Sequence, residues 1–385
     1  MTAGAGGNPT GIGDYVRSLD SAGIPAVVMC NDGMTGVLDA INTGMTTPHV
    51  LAYRVVRDGS EAYAVPDYNQ LPKIAAERHW AKIYEFFPDE LKEHRDKIWI
   101  LPINEVDKNR SDWLGWFGVE LATIANADGY KVSMFGWSSG EPEPDHWKTD
   151  GMRAYLELCE LRPELCSVCL HEYSYTVDNI FDQFPYKVGR FKFLFNACDE
   201  MDIKRPNVLI GEWGWTYDDV PPIERAIDDI YHVSEIYGQY PEILGAALWY
   251  LGPYQNIANE AQKLIEPVTE MTLNTYWNIT EPEVPTEPTM PTEEKKDTKY
   301  IDLPVGAKNT TVSIRVEDAD GNPYYEDFTT RLQYAKSNNP HKMKLVTRYD
   351  VEVTDPVNPE AEAVGVDVSK WQGSVNWVKM AQDRQ

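Results

Sequence analysis

Short apolar runs alternate along this chain with segments whose apolar residues recur every three or four positions, the marks of buried strands and amphipathic helices respectively. The spacing of Ile12, Tyr15, Val16 and Leu19 predicts a helix over 11–22, and the run Ala26-Val27-Val28-Met29-Cys30 a buried strand after it. A helix over 34–41 and a strand over 50–56 carrying Arg54 come next, then a helix over 74–87 and a strand over 97–103 that runs straight into Asn104-Glu105. Helix 113–127, strand 131–135 and helix 151–159 lead to strand 167–170, followed by His171-Glu172-Tyr173. A helix over 187–201 precedes the run Asn207-Val208-Leu209-Ile210, which stops at Gly211-Glu212-Trp213. Helix 223–237 and strand 244–250, with Trp249, close the series. Repeated strand, loop, helix units predict an α/β fold with a parallel sheet, most simply a TIM (β/α)8-type barrel over residues 1–279. Such a barrel takes eight strands. Only seven are counted, because the chain opens on a Gly-rich loop and a helix, so the first strand is expected upstream of residue 1.

The pattern changes sharply at residue 280. TEPEVPTEPTMPTEEKKD is almost devoid of apolar residues and predicts an extended linker over 280–298. Over 299–354, alternation such as Thr311-Val312-Ser313-Ile314-Arg315-Val316 and the turn signal Asp320-Gly321-Asn322-Pro323 predict a small antiparallel all-β module. A second acidic linker, 355–363, leads to a separate segment, 364–385.

Composition narrows the partners. With 61 acidic against 35 basic residues the formal charge is −26, which repels phosphate backbones and anionic lipid, so neither nucleic acid nor a membrane is expected as a partner. No stretch approaches 18 apolar residues, and the opening MTAGAGGNPTG has neither the basic start nor the apolar core of a signal peptide. Five cysteines imply no disulfide framework, and Cys166-Ser167-Val168-Cys169 lacks a second pair at zinc spacing, so buried free thiols are expected. The expectation is a monomer with no cofactor and no metal. The 12 Trp and 22 Tyr tilt the picture towards a protein that handles sugars.

Two carboxylates stand out against this background. Glu212 follows an unbroken buried strand and stands just before two tryptophans, and Glu105 follows another strand; barrel enzymes collect their reactive groups at such strand ends. Cleaving a glycosidic bond with retention takes one carboxyl that donates to the leaving oxygen and one carboxylate that attacks the anomeric carbon, about 5 Å apart.

Ile103-Asn104-Glu105, His171-Glu172-Tyr173, Gly211-Glu212-Trp213 and Leu248-Trp249, each at a strand end, resemble glycoside hydrolase clan A, and within it the family 5 cellulase-like enzymes, over about residues 8–279. The resemblance implies a retaining glycosidase acting on β-linked polysaccharide, with Glu105 as acid/base and Glu212 as nucleophile. The clan carries these two on strands four and seven, which again asks for one strand before residue 1. The resemblance further implies that Asn104 bonds the sugar 2-hydroxyl, His171 lines the site, Tyr173 orients Glu212, Trp249 forms a stacking floor and Arg54 holds Glu212 ionised. Trp137, Trp147, Trp213 and Trp215 are expected to be partly exposed platforms for further sugar rings. The acidic loop 136–147 reads either as solvated surface or as the source of an acid other than Glu105, from Glu141, Glu143 or Asp145.

The segment Val364 to Trp377 resembles the first strand and loop of the family 25 lysozymes, and Asp367 matches an active-site aspartate of that family. It covers only the opening of such a domain, and no activity is expected of it. It moves the expected target towards bacterial cell wall or capsule and the setting to extracellular or virion-associated. A function of another class stays open, a barrel that keeps a sugar cleft but serves as a non-catalytic carbohydrate-binding or virion structural module.

Overall fold

The computed structural model describes residues 1–4, 7–57, 61–216, 219–249, 251, 255–280 and the strand segments 300–303, 309–317, 323–331, 341–344 and 351–352. The chain divides into two compact units, Met1–Glu283 and Val284–Gln385.

In the first unit the chain runs β1 (Thr2–Gly4), α1 (Ile12–Ser21), β2 (Val27–Asn31), α2 (Thr35–Asn42), β3 (Val50–Arg54), α3 (Glu61–Ala64), α4 (Pro72–Phe86), α5 (Asp89–Lys92) and β4 (Ile98–Ile100). It continues through α6 (Ser111–Ala127), β5 (Lys131–Trp137), α7 (Asp150–Leu161), β6 (Cys166–Tyr173), α8 (Phe191–Met201), β7 (Val208–Gly214), α9 (Ile223–Tyr237) and β8 (Ile243–Leu248), and ends in α10 (Gln255–Gln262) and α11 (Ile265–Thr280). The strands form one sheet in chain order from β1 to β8, every ladder parallel, as expected of a TIM-type α/β barrel.

The first strand corrects the expectation from sequence. Thr2, Ala3 and Gly4, read there as loop, register with Met29, Cys30 and Asn31 and take the position expected to lie upstream of residue 1. Three small residues beside glycines give no strand pattern of their own; the open edge of β2 orders them, with Met29 N–H donating to the Met1 carbonyl at 2.9 Å. On the other side Leu251 N–H donates to the Thr2 carbonyl at 2.7 Å, so the short strand also meets the chain leaving β8. The helices after β8 were not predicted either; α11 packs against α1 and α9.

Two apolar layers hold the barrel. Met29, Ala52, Trp99, Leu101, Cys169, Leu209 and Ala247 fill its interior, one from most strands. Alternate strand residues such as Val28, Leu51, Ile100, Val168 and Ile210 face outward, onto helix residues spaced three and four apart, for example Ile12, Val16 and Leu19 of α1. Helices α6 and α7 touch through glycine: a Cβ at Gly115 would lie 2.0 Å from the Gly151 carbonyl carbon. All five cysteines are free and buried, as expected. Among the described residues no helix is long and apolar enough to cross a membrane.

In the second unit, β10 (Asn309–Glu317) pairs antiparallel with β11 (Pro323–Arg331) and with β13 (Val351–Glu352), while β9 (Tyr300–Leu303) pairs with β12 (His341–Lys344). This is the antiparallel β structure that the alternation predicts. The linker residues 281–299, turn residues 320–322 and the segment 364–385, where a lysozyme-type start was expected, lie outside the described residues.

Candidate active site

The carboxyl ends of β3, β4, β6 and β7 bring Arg54, Asn104-Glu105, His171 and Glu212 together, and two irregular strands do the aiming. Along β7, Leu209 faces the interior and Ile210 the outer layer, so strict alternation would turn Gly211 inward and Glu212 outward. The ladders shift there: Ile210 pairs with Leu170 but Glu212 with His171, so Gly211 is an extra residue that turns Glu212 to the mouth. A Cβ at Gly211 would stand 2.7 Å from Cys169 Sγ, which is why the bulge takes glycine. Strand β5 repeats the device with Gly136, φ +53°, between Phe135 and Trp137. The Gly136 carbonyl accepts from Glu105 N–H at 2.8 Å and so anchors Glu105, itself in the left-handed region at φ +46°.

The two glutamates meet. An oxygen of each carboxylate and a ring nitrogen of His171 lie within 4.8 Å of one another. His171 Nδ1 is 3.4 Å from Glu105 Oε1 and 3.4 Å from Glu212 Oε2. Arg54 Nη1 lies 2.8 Å from Glu212 Oε1 and also donates to Asn104 Oδ1, tying two strand ends to one guanidinium. The Glu212 side chain is 6% exposed and that of Glu105 39%, so one carboxylate forms the floor and the other reaches the opening.

Charge organises this cluster. The His171 imidazolium beside it, helped by hydrogen bonds from Tyr173 and Ser138 and opposed by burial, holds the Glu105 carboxyl down at about 2. Burial works against a charge on His171, but the Glu212 carboxylate, with Glu105 and Cys169, outweighs it and lifts the imidazole to about 10. The proton of the free site therefore rests on the histidine.

Several expectations are corrected. The Tyr173 hydroxyl donates to Glu105 Oε1 at 2.6 Å, not to Glu212. Trp137, Trp147, Trp213 and Trp215, expected to be partly exposed, are 0%, 1%, 3% and 1% exposed. They lie in the packed layer around the barrel, and Trp215 Nε1 donates to the Asp229 carboxylate at 2.8 Å. Periodicity cannot tell a loop tryptophan that faces a cleft from one folded under it. Of the tryptophans expected at the cleft, Trp249 alone is half-buried; it sits just past β8 with its N–H on the Trp213 carbonyl at 2.8 Å. The acids of loop 136–147 are engaged elsewhere, Glu141 and Glu143 with Lys108 at 3.1 and 3.2 Å and Asp145 with Lys148 at 3.7 Å, which fits the solvated-loop reading.

Sequence reasoning missed Ser138, half-buried beside Glu105, and Glu172. The strand alternation turns Glu172 away from the mouth into a fully buried position, where it accepts from Phe191 N–H at 2.8 Å and Tyr237 Oη at 2.7 Å and satisfies the start of α8. Burial pushes its carboxyl up to about 7. Glu105, His171 and Glu212 also form the metal-capable group among the described residues. The adjacent Arg54 guanidinium and the protonated imidazole both oppose a cation there.

No family model and no curated protein matches the sequence. Solved structures similar to this chain include a GH5-4 broad specificity endoglucanase from an uncultured bovine rumen ciliate, 12% identical over 68% of this chain and 86% of that one, TM-score 0.38. Another is a Bacteroides ovatus GH5 xyloglucanase in complex with a XXXG heptasaccharide, 13% identical over 70% and 69%, TM-score 0.42. A third is N2152 from Neocallimastix frontalis, 10% identical over 89% and 91%, TM-score 0.42. Likenesses at this level assign no residue a role.

Proposed function

We propose that the barrel hydrolyses β-linked polysaccharide with retention of configuration, Glu212 attacking the anomeric carbon and Glu105 serving as acid and then base. The observation that carries this reading is the approach of the two carboxylates, whose nearest ligand-capable oxygens are within 4.8 Å of each other at one barrel mouth. That closeness supports direct attack by one carboxylate, the retaining arrangement of about 5–5.5 Å, over an inverting one, which separates the pair by about 6.5–9.5 Å.

The proton begins on His171 Nδ1. As the glycosidic bond breaks it passes through Glu105 Oε1 to the leaving oxygen, while Glu212 becomes an ester and loses its charge. That charge supports the imidazolium, so forming the ester favours release of the proton. In the second half Glu105 takes a proton from the attacking water, the ester opens, the Glu212 carboxylate is restored and the proton returns to His171. In this reading Arg54 pairs with Glu212 and aims it, and Asn104, held by the same guanidinium, bonds the sugar 2-hydroxyl. Trp249 is the proposed stacking floor. Polysaccharide of a wall or capsule lies outside cells, so an extracellular or virion-borne setting belongs to the same proposal.

The test is release of reducing ends from a panel of β-glucans, mannans and bacterial wall polysaccharide. Wild type releases them from at least one member, while Glu212→Ala and Glu105→Ala lower the rate by 10³-fold or more, an order of magnitude set by loss of a covalent catalyst. Release that survives Glu212→Ala removes the assignment.

A further inference from the structure

Beyond Glu105 a row of side chains leads outward along the loop that follows β6. The Tyr173 hydroxyl bonds Glu105 at 2.6 Å; the Tyr175 ring meets the Tyr173 ring edge to face at 4.9 Å; and Lys187 Nζ stands over the Tyr175 ring, 4.2 Å from its centroid. Tyr175 is 48% exposed and in the left-handed region at φ +59°, an uncommon conformation for a bulky residue. Its backbone is pinned there by its N–H on the Trp215 carbonyl at 2.8 Å. A strained, exposed aromatic one ring removed from the Glu105 carboxylate is a recurrent mark of ligand contact.

Lys187 supplies the second observation. Among the described residues no carboxylate pairs with it, in a chain where 61 acidic residues face 35 basic ones and Lys108, Lys148 and Arg190 all have acidic partners. It is also partly desolvated, which draws its pKa down. The facing loop packs on its stem: a Cβ at Gly140 would lie 3.7 Å from Lys187 Cγ. The ammonium is therefore held over an aromatic face, partly desolvated and, among the described residues, without a carboxylate partner.

We infer that Tyr175 and Lys187 form a subsite on the Glu105 side of the cleft for a sugar that bears a carboxylate, so that the polymer cut here is an acidic, uronate-containing polysaccharide. The inference rests on the proposed glycosidase reading, because the acid/base side of a retaining site is the side of the leaving sugar. The exposed tyrosine offers the apolar contact that sugar rings make, and the ammonium completes a charge-assisted hydrogen bond to the uronate.

The experiment is calorimetric binding to the Glu212→Gln protein of two tetrasaccharides alike but for the carboxyl group, β-1,4-linked glucuronate and β-1,4-linked glucose. One charge-assisted bond predicts a preference of about tenfold for the uronate, weakening with added salt. Adding Lys187→Met should bring the ratio of the two affinities to about one, and Lys187→Arg should keep most of it. Equal affinities, no uronate binding, or a preference untouched by Lys187→Met overturns the inference. Hydrolysis of both oligosaccharides by the wild-type protein is scored separately: binding through Lys187 with no cleavage refutes the glycosidase reading and leaves the uronate subsite standing.

Discussion

Arg54 Nη1 stands 2.8 Å from Glu212 Oε1, with side chains 8% and 6% exposed. Two charges so far from water are stable only as a pair, and among the described residues the arginine also bonds Asn104 and the glutamate also meets His171. Arg54→Met leaves a buried carboxylate without its guanidinium and is expected to cost about 3–5 kcal/mol in urea unfolding, together with most of the turnover. Arg54→Lys, which keeps the charge but not the fork, should lose less of both. A loss of stability below about 1 kcal/mol in Arg54→Met would mean that water reaches this pair.

Removing His171 should act on both sides of its proton. Its folded pKa, raised from 6.5 to about 10, means a contribution to stability that is complete below pH 6.5 and lost as pH rises towards 10. Glu105, depressed from 4.5 to about 2, contributes above pH 4.5 and loses that contribution as pH falls towards 2. The difference in unfolding free energy between wild type and His171→Asn is therefore expected to be steady from pH 4.5 to 6.5 and to shrink on either side. In the same variant the Glu105 carboxyl loses its principal support and the acid limb of kcat/KM moves to higher pH. An acid limb that stays in place would separate Glu105 from His171.

Glu172 should show the opposite sign. Burial raises its folded pKa from 4.5 to about 7, so its contribution is complete below pH 4.5 and lost as pH rises through 7. Glu172→Gln, neutral at every pH, should cost stability at pH 4.5 through its poorer acceptors, with the cost shrinking by up to about 3 kcal/mol by pH 8. Parallel stability curves for the two proteins would contradict a buried, titrating carboxyl.

Gly211 tests how Glu212 is aimed. The Cβ of Gly211→Ala would meet Cys169 Sγ at 2.7 Å inside the barrel. The expected cost is about 1–3 kcal/mol of stability and, as the bulge shifts, roughly 10- to 100-fold in turnover. Adding Cys169→Ala makes room and should recover part of both. Failure of the second change to help would place the strain elsewhere.

The barrel was legible in the sequence because strands buried on both faces leave apolar runs, and β7 with its halt at Gly211-Glu212 is the plainest of them. The pairing of Glu105 with Glu212 followed from strand ends alone. Thr2–Gly4 left no such trace, since its order comes from the edge of β2. The exposure of Trp137 and Trp213 was misread because burial of an aromatic is decided by the layer above it, which lies far off in sequence. The partner of the Tyr173 hydroxyl was likewise beyond reach: whether it meets Glu105 or Glu212 depends on bulges at Gly136 and Gly211, and a glycine in an apolar run signals a bulge without saying which way the next side chain turns.

The most direct test of the paired carboxylates is the anomeric form of the first product, followed by proton NMR during hydrolysis of a β-linked oligosaccharide. Wild-type protein should release the β-anomer before mutarotation, and Glu212→Gln should release none on the same timescale. First release of the α-anomer, or undiminished release by Glu212→Gln, would contradict a covalent attack by Glu212 across from Glu105.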